Sequence, residues 1–289
     1  MRYEYSEVEL QQLHLHLYKI AAEFDRVCRK HDINYFIIGG TAIGAFYWDG
    51  IIPWDDDIDI GMRRKDYERF LEIAPHELDG SFFLQWVGTD AHTPFWFTKI
   101  RENNTLFKES QFKKADIHHG ISIDVFPFDN IPASRLAERL QYAVFGFFNA
   151  CFIGKDIWQW KYCGNCEVEE PRPRGFLTCL LTRLVVLTCS KTMLYKALRF
   201  VQNWFNGLDT AYCKNIMTEK DKVRIKDITP PQEVRFGALK LKAPNRLEDY
   251  LRTHYTVLNK HLPKEQQINH RPAELSFDTR SKSQGQNKE

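Results

Sequence analysis

Residues 52–61 read Ile-Pro-Trp-Asp-Asp-Asp-Ile-Asp-Ile-Gly, with four carboxylates inside five positions and apolar residues on either side. No other stretch limits the fold as strongly. Asp57-Ile58-Asp59-Ile60 alternates polar and apolar, the period of a half-buried strand. On such a strand Asp57 and Asp59 leave one face and Ile58 and Ile60 the other. The chain must therefore bury one side of this segment while holding two carboxylates close together on the opposite side. Like charges at that spacing repel, and a divalent cation relieves the repulsion. Hard oxygen ligands suit Mg²⁺ or Mn²⁺. A solvated acidic turn is the competing reading; the strand alternation and the Gly-Gly turn upstream weigh against it.

That turn is Gly39-Gly40-Thr41. It follows Ile33-Asn34-Tyr35-Phe36-Ile37-Ile38, a strand by composition, and precedes Ala42–Tyr47, which reads as a short helix. Strand, glycine turn and helix N-terminus together present backbone N–H groups to an anion. A plain tight turn is the alternative; the acidic strand that returns soon after favours phosphate binding.

Upstream, Ser6-Glu7-Val8-Glu9 forms a capping box. Leu10, Leu13, Leu17, Ile20, Phe24 and Val27 follow at helical spacing, so a long amphipathic helix ends near His31. His14 and His16 lie off the apolar stripe and are expected in solvent. Lys65–Ala74 reads as a helix with Tyr67, Phe70, Leu71 and Ile73 inward, and Phe82–Val87 and Trp96–Ile100 read as strands. Lys99 and Arg101 flank Ile100 and so leave one face, on a solvated edge or beside a bound phosphate. Ile121–Pro127 is a further strand with one acid, Asp124, among apolar residues. A lone buried carboxylate is costly unless paired, protonated or on a metal, which makes Asp124 a third candidate. His118 and His119 are expected in a loop.

From Ser134 to about Met217 the composition shifts to apolar helical periodicity, broken by a Pro- and charge-rich loop at 163–175. Its packed faces are core by default; aromatics beside basic residues also suit a membrane surface. Val234–Leu241 reads as a hairpin and Arg246–Tyr255 as a helix. Fraying is expected after Arg271. The organisation expected is a core at 1–131, a helical insertion at 132–217, a C-terminal part at 218–270 that packs on the core, and a disordered tail at 271–289.

With 43% hydrophobic and 27% charged residues, the chain has a globular composition, and a net charge of +2 is too small to argue for nucleic acid. No apolar run is long enough to span a bilayer, and the N-terminus lacks a signal-peptide pattern, so a cytoplasmic location is expected, with peripheral membrane contact. Seven irregularly spaced cysteines argue against a disulfide framework. The lone pair Cys163 and Cys166 is read as reduced loop thiols, ahead of half a zinc site or a redox pair.

Taken together, Ile38–Thr41, Ile52–Gly61, Lys99-Ile100-Arg101, Gly120–Pro127 and the late matches at Ala243-Pro244, Tyr250-Leu251 and His270 resemble the LicD family, phosphocholine transferases of bacterial surface glycans related to fukutin and fukutin-related protein. The Ile-Pro-Trp-Asp-Asp-Asp-Ile-Asp-Ile run is the specific part. The middle of the chain, Ser134 to Met217, carries no matching motif. The resemblance implies an α/β (α+β) nucleotidyltransferase-like fold, a mixed sheet with flanking helices. It places the glycine turn on Gly39 and Gly40, the paired carboxylates on Asp57 and Asp59, and a third on Asp124. The spacing from Gly40 to Asp57 exceeds the general superfamily pattern, which leaves Asp55 as a further candidate.

The activity implied is Mg²⁺- or Mn²⁺-dependent transfer of a phosphorylated alcohol, foremost phosphocholine from CDP-choline, to a hydroxyl of a surface glycan or its lipid-linked precursor. Lipopolysaccharide, teichoic acid, capsule and protein-linked glycans all qualify as acceptors. Asp57, Asp59 and Asp124 would hold the metal, Gly39, Gly40 and Thr41 would bind phosphate, and Lys99 or Arg101 would offset charge on the leaving CMP. Trp48 or Trp54 would wall a choline site. Transfer of a nucleotide from an NTP and non-catalytic glycan binding on the same fold are the competing functions.

Overall fold

The structure, a computed structural model, describes residues 5–162, 176–216, 222–255 and 258–280, without side chains for 157–162 and 176–177. The long first helix, α1 (Glu7–Lys30), starts at the capping box: Glu9 N–H donates to the Ser6 hydroxyl at 3.2 Å and Ser6 N–H to the Glu9 carboxylate at 2.8 Å. Its stripe Leu13, Leu17, Ile20, Phe24 and Val27 is fully buried. A side chain of that kind stabilises by about 1.5–3 kcal/mol on leaving water.

The segment expected as a six-residue strand shortens to β1 (Phe36–Ile37), and α2 (Gly39–Trp48) begins at once. Gly39 and Gly40 are therefore the first turn of that helix rather than a turn before it. β2 (Asp59–Arg63), α3 (Arg64–Glu77), β3 (Phe82–Gln85), β4 (Thr98–Glu102), β5 (Leu106–Lys108) and β6 (Ser122–Asn130) follow. Three helices come next, α4 (Arg135–Tyr162), α5 (Phe176–Thr188) and α6 (Lys191–Gln202). The chain then runs through β7 (Tyr212–Lys214), β8 (Lys222–Arg224), α7 (Ile225–Ile228), β9 (Gln232–Phe236), β10 (Leu239–Ala243), α8 (Leu247–His254) and β11 (Glu274–Ser276).

The architecture is mixed α/β. The main sheet has the order β1-β2-β6-β4-β3, and β7 and β8 extend it from the far end of β6. β2 and β6 are parallel, and the other pairs are antiparallel. Parallel neighbours need a crossover; here the chain from α3 to β5 supplies it. One sheet face carries Ile60, Met62, Ile100, Ile123 and Val125, all fully buried beneath α1 and α3. By the period of two, the other face carries Asp59, Lys99, Asp124 and Phe126, and it opens into a cleft.

α4 packs on both α5 and α6. Phe145 of α4 meets Trp96 edge-on with ring centroids 5.3 Å apart, so the helices share the core of the sheet. Cys163 and Cys166 and the loop at 163–175 lie outside the described residues. The described cysteines, Cys28, Cys151, Cys179, Cys189 and Cys213, are free thiols.

Two expectations are overturned. The stretch after Arg271, expected to fray, is held: β11 pairs antiparallel with β5, and Phe277 stacks on His16 at 5.4 Å. Residues 281–289 lie outside the described residues. His14 and His16 are not solvated. His14 Nε2 sits 2.7 Å from the Asp55 carbonyl and His16 Nδ1 2.6 Å from Glu102. Their partners come from distant segments, which helical periodicity does not report.

Candidate active site

The site is built where β2 leaves the end of β1. Ile38 N–H donates to the Asp59 carbonyl at 3.1 Å, and Asp59 N–H donates to the Thr41 hydroxyl at 2.8 Å. Both bonds fix the backbone of Asp59 against the start of α2. Across the parallel ladder, Asp59 stands directly opposite Asp124, and Asp124 in turn opposite Lys99 on β4. Asp57 precedes β2, and the pairing reaches the residue next to it: Asp124 N–H donates to the Ile58 carbonyl at 2.9 Å. Ile58 and Ile60 are fully buried, while Asp57, Asp59 and Asp124 line a cavity of about 1680 Å³. Ligand pockets are commonly ~300–1,000 Å³, so this space is larger than one small ligand fills.

Gly39 closes on the acids. It has φ +57°, and a Cβ there would lie 3.3 Å from the Asp59 carboxylate. Helix α2 begins without a side-chain cap at Ile38, and the Gly39 N–H, on the cavity wall, donates to the Tyr250 hydroxyl at 3.4 Å. Such N–H groups carry partial positive charge.

The electrostatics are those of too many acids for the cations present. Burial first, then Asp57, Asp124 and Asp55, push the Asp59 carboxyl well above its ordinary range. Burial, then Asp56 and Asp124, raise Asp57 to about 6; burial, then Asp57 and Asp56, raise Asp55 to about 8. Burial also raises Asp124, although Lys99 opposes it. Lys99 Nζ lies 2.8 and 2.9 Å from the two Asp124 oxygens and 3.4 Å from Glu109. Burial works against the Lys99 charge, but Asp124 and Glu109 outweigh it and raise its pKa.

This donor set fits a hard divalent cation. Three oxygen donors share one wall, and burial disfavours each of them as an anion. Both Asp124 oxygens are engaged by Lys99, so Asp57 and Asp59 would be the readier ligands and Asp124 would join only if Lys99 yielded. Among the described residues, the tight cluster of potential ligand atoms, all within 4.8 Å, is a different one: Asp56, Asp57 and His270. Asp56 is 3% exposed, and its carboxylate accepts from His270 N–H at 2.8 Å and from the Tyr5 hydroxyl at 2.8 Å. A hydrogen bond to Asp56 raises the His270 imidazole to about 9. A protonated imidazole is no metal ligand. The cluster is an ion-pair clamp that ties residues 264–273 over the cavity.

The other predicted residues divide. Trp54 lines the cavity; Trp48 packs edge-on behind it at 5.5 Å, with Lys260 Nζ 5.7 Å from its ring. Gly40 faces away from the cavity: a Cβ there would come within 2.7 Å of the Asp55 carboxylate. The buried Thr41 hydroxyl holds Asp59 rather than reaching the cavity. Arg101 is 1% exposed and donates to Gln85 and to the Gly120 carbonyl, the latter at 2.7 Å. It clamps the sheet and is corrected from phosphate contact to structure. Glu109, Tyr250 and the 264–273 segment also line the cavity. The sequence gives Glu109 no role, marks Tyr250 as a packed residue of the helix Arg246–Tyr255 and a family match, and has the family match alone for His270.

Residues 32–142 match the family model described as LicD/FKTN/FKRP, nucleotidyltransferase domain. The chain is 29% identical over 128 residues to the lipopolysaccharide cholinephosphotransferase LicD of Haemophilus influenzae, covering 44% of this chain and 46% of that protein. It is 39% identical over 74 residues to an uncharacterized protein of Rickettsia typhi, covering 26% of this chain and 23% of that protein. A protein of Rickettsia prowazekii, also uncharacterized, is 39% identical over 61 residues, 21% of this chain and 23% of that protein. The chain thus matches less than half the length of each relative. Asp56, Asp57, Asp59, Glu109 and Asp124 of the cavity wall fall inside the matched domain, and Glu9 and Glu265 outside it. Residues 32–142 thus form a nucleotidyltransferase domain of the LicD family.

Proposed function

We propose that the chain is a transferase that moves phosphocholine from CDP-choline to a hydroxyl of a cell-surface glycan or its lipid-linked precursor. The observation that carries the reading is Asp59 placed opposite Asp124 on the wall of a cavity within a LicD-family domain. The name of the Haemophilus relative, a lipopolysaccharide cholinephosphotransferase, supports the headgroup and the acceptor class.

Asp57 and Asp59, with Asp124, would hold Mg²⁺ or Mn²⁺. When bound, the cation supplies positive charge to the diphosphate oxygens. The chain's own residues do the rest. The first turn of α2 at Gly39 orients the diphosphate by its N–H groups. The acceptor oxygen bonds to the choline-bearing phosphorus, the bond to the bridging oxygen breaks, and CMP leaves with that electron pair. Asp124 takes the hydroxyl proton. Lys99, beside Asp124, offsets charge on the leaving CMP. The 264–273 segment excludes water that would otherwise hydrolyse the donor.

The family description, nucleotidyltransferase domain, favours one other chemistry: transfer of the nucleotide itself. Incubation with CDP-choline labelled separately in choline and in cytidine separates the two. The proposal expects the choline label in the glycan and the cytidine label in free CMP. Cytidine label in the glycan would overturn it. A glycan-binding protein without turnover releases neither label, and it gives no reason to keep three mutually repelling acids.

A further inference from the structure

We infer that the outer face of α5 and α6 docks on an anionic lipid surface. α5 is predominantly apolar. Thr182, Val186 and Cys189 turn inward, and Lys155 of α4 donates to the Val186 carbonyl at 2.8 Å. On the opposite side Leu180, Leu184 and Leu187 form a stripe at helical spacing, exposed by 54%, 56% and 70%. Met193 and Phe200 on α6 are 57% and 68% exposed, one turn to either side of Lys196. A helix apolar on both sides belongs in a core or against lipid, and exposed apolar patches of this kind mark a contact surface.

Charge decides what covers it. No Asp or Glu occurs from Phe176 to Gln202. Arg183 beside the α5 stripe and Lys196 within the α6 stripe are exposed. The acids of described α4 are already paired: Glu138 with Lys214 at 3.2 Å, and Asp156 with Lys191. Exposed leucines and an aromatic ring among cations, with no exposed acid on the described parts of α5 and α6, are complementary to anionic headgroups over acyl chains. No described helix is long and apolar enough to cross a membrane, so the contact is peripheral. This inference stands apart from the reaction proposed above.

Co-sedimentation of the full chain with vesicles tests it, comparing phosphatidylcholine alone with phosphatidylcholine containing phosphatidylglycerol. The wild type is expected in the pellet with anionic vesicles and to be released by salt. Leu184→Glu is expected to weaken binding about tenfold, with its circular dichroism unchanged. Arg183→Ala/Lys196→Ala, which keeps the leucine stripe, is expected to lose the preference for the anionic lipid. Three results would overturn the inference: wild type left in the supernatant with both vesicles, Leu184→Glu pelleting like wild type, or equilibrium sedimentation showing a dimer that Leu184→Glu dissolves while vesicles bind neither form.

Discussion

Lys99 Nζ reaches both carboxylate oxygens of Asp124, at 2.8 and 2.9 Å. The pair is buried on the sheet and is the main direct charge compensation on the acidic wall. It holds Asp124 in place and sets how readily that acid releases to a cation.

Lys99→Met is therefore expected to leave Asp124 uncompensated. Breaking such a buried pair costs about 3–5 kcal/mol. Thermal unfolding without divalent cation should show that loss, and Mg²⁺ or Mn²⁺ should restore part of it by taking the place of the ammonium. Equal loss with and without cation would mean that Asp124 lies outside the cation's reach.

Asp59→Asn is expected to stabilise the cation-free protein. Burial and three neighbouring acids oppose ionisation at this position, and the amide keeps the shape without the charge. An increase of about 1 kcal/mol, a few degrees in Tm, is anticipated. Transferase turnover should fall by about 10²–10³-fold in the same variant. A variant both less stable and fully active contradicts this account of the acid cluster.

Gly39→Ala meets two obstacles, a backbone at φ +57° and the Asp59 carboxylate at 3.3 Å. The backbone alone costs about 1 kcal/mol. Turnover is expected to drop further than stability, because the shift displaces Asp59. Gly40→Ala clashes with Asp55 instead, away from the cavity. It is expected to lower stability and leave the KM for the donor near its starting value. Steady-state kinetics beside a urea titration separates the two.

Trp54→Leu is expected to change the preference between CDP-choline and CDP-ethanolamine by about two- to thirty-fold, the equivalent of roughly 0.5–2 kcal/mol of cation–π attraction. Trp48→Leu, behind it, should change stability and not preference. Competition between the two donors for limiting enzyme gives the ratio directly.

Acid sensitivity should come in part from His118. Burial first, then Arg101, lowers this imidazole to about 4. Its ring stacks on Phe83 at 4.8 Å, and Nε2 faces the Asn103 amide oxygen at 2.9 Å. The unfolded value is about 6.5, so the unfolded chain takes up the proton first. The His118 contribution is full above pH ~6.5 and is lost as pH falls from there toward 4. His118→Gln should flatten the fall of the urea midpoint over that interval, by on the order of 1 kcal/mol after solvent screening. An unchanged slope would assign the sensitivity elsewhere.

Much of this design was legible locally. The Ser6 box and the leucine spacing marked α1, and the alternation of Asp57 to Ile60 placed the acids on one face and the isoleucines on the other. What failed was what depends on distant partners. Lys99 and Arg101 share a strand and a face, and nothing in their spacing tells that one lies in the cleft and the other beneath Gly120. Trp48 and Trp54 bracket one loop, yet only the second turns to the cavity. Thr41 looked like a phosphate ligand because it follows two glycines; its hydroxyl instead holds Asp59. The roof at 264–273 owes its place to Asp56 and to β5, more than 150 residues upstream, and no short-range pattern announces that.

Calorimetric titration of Mn²⁺ into wild type, Asp59→Asn and Asp124→Asn, each with CDP-choline present, tests the central claim most directly. The account predicts binding to wild type, its loss in Asp59→Asn, and a weaker, still measurable affinity in Asp124→Asn, whose oxygens Lys99 already holds. Mn²⁺ binding equally to wild type and Asp59→Asn would contradict it.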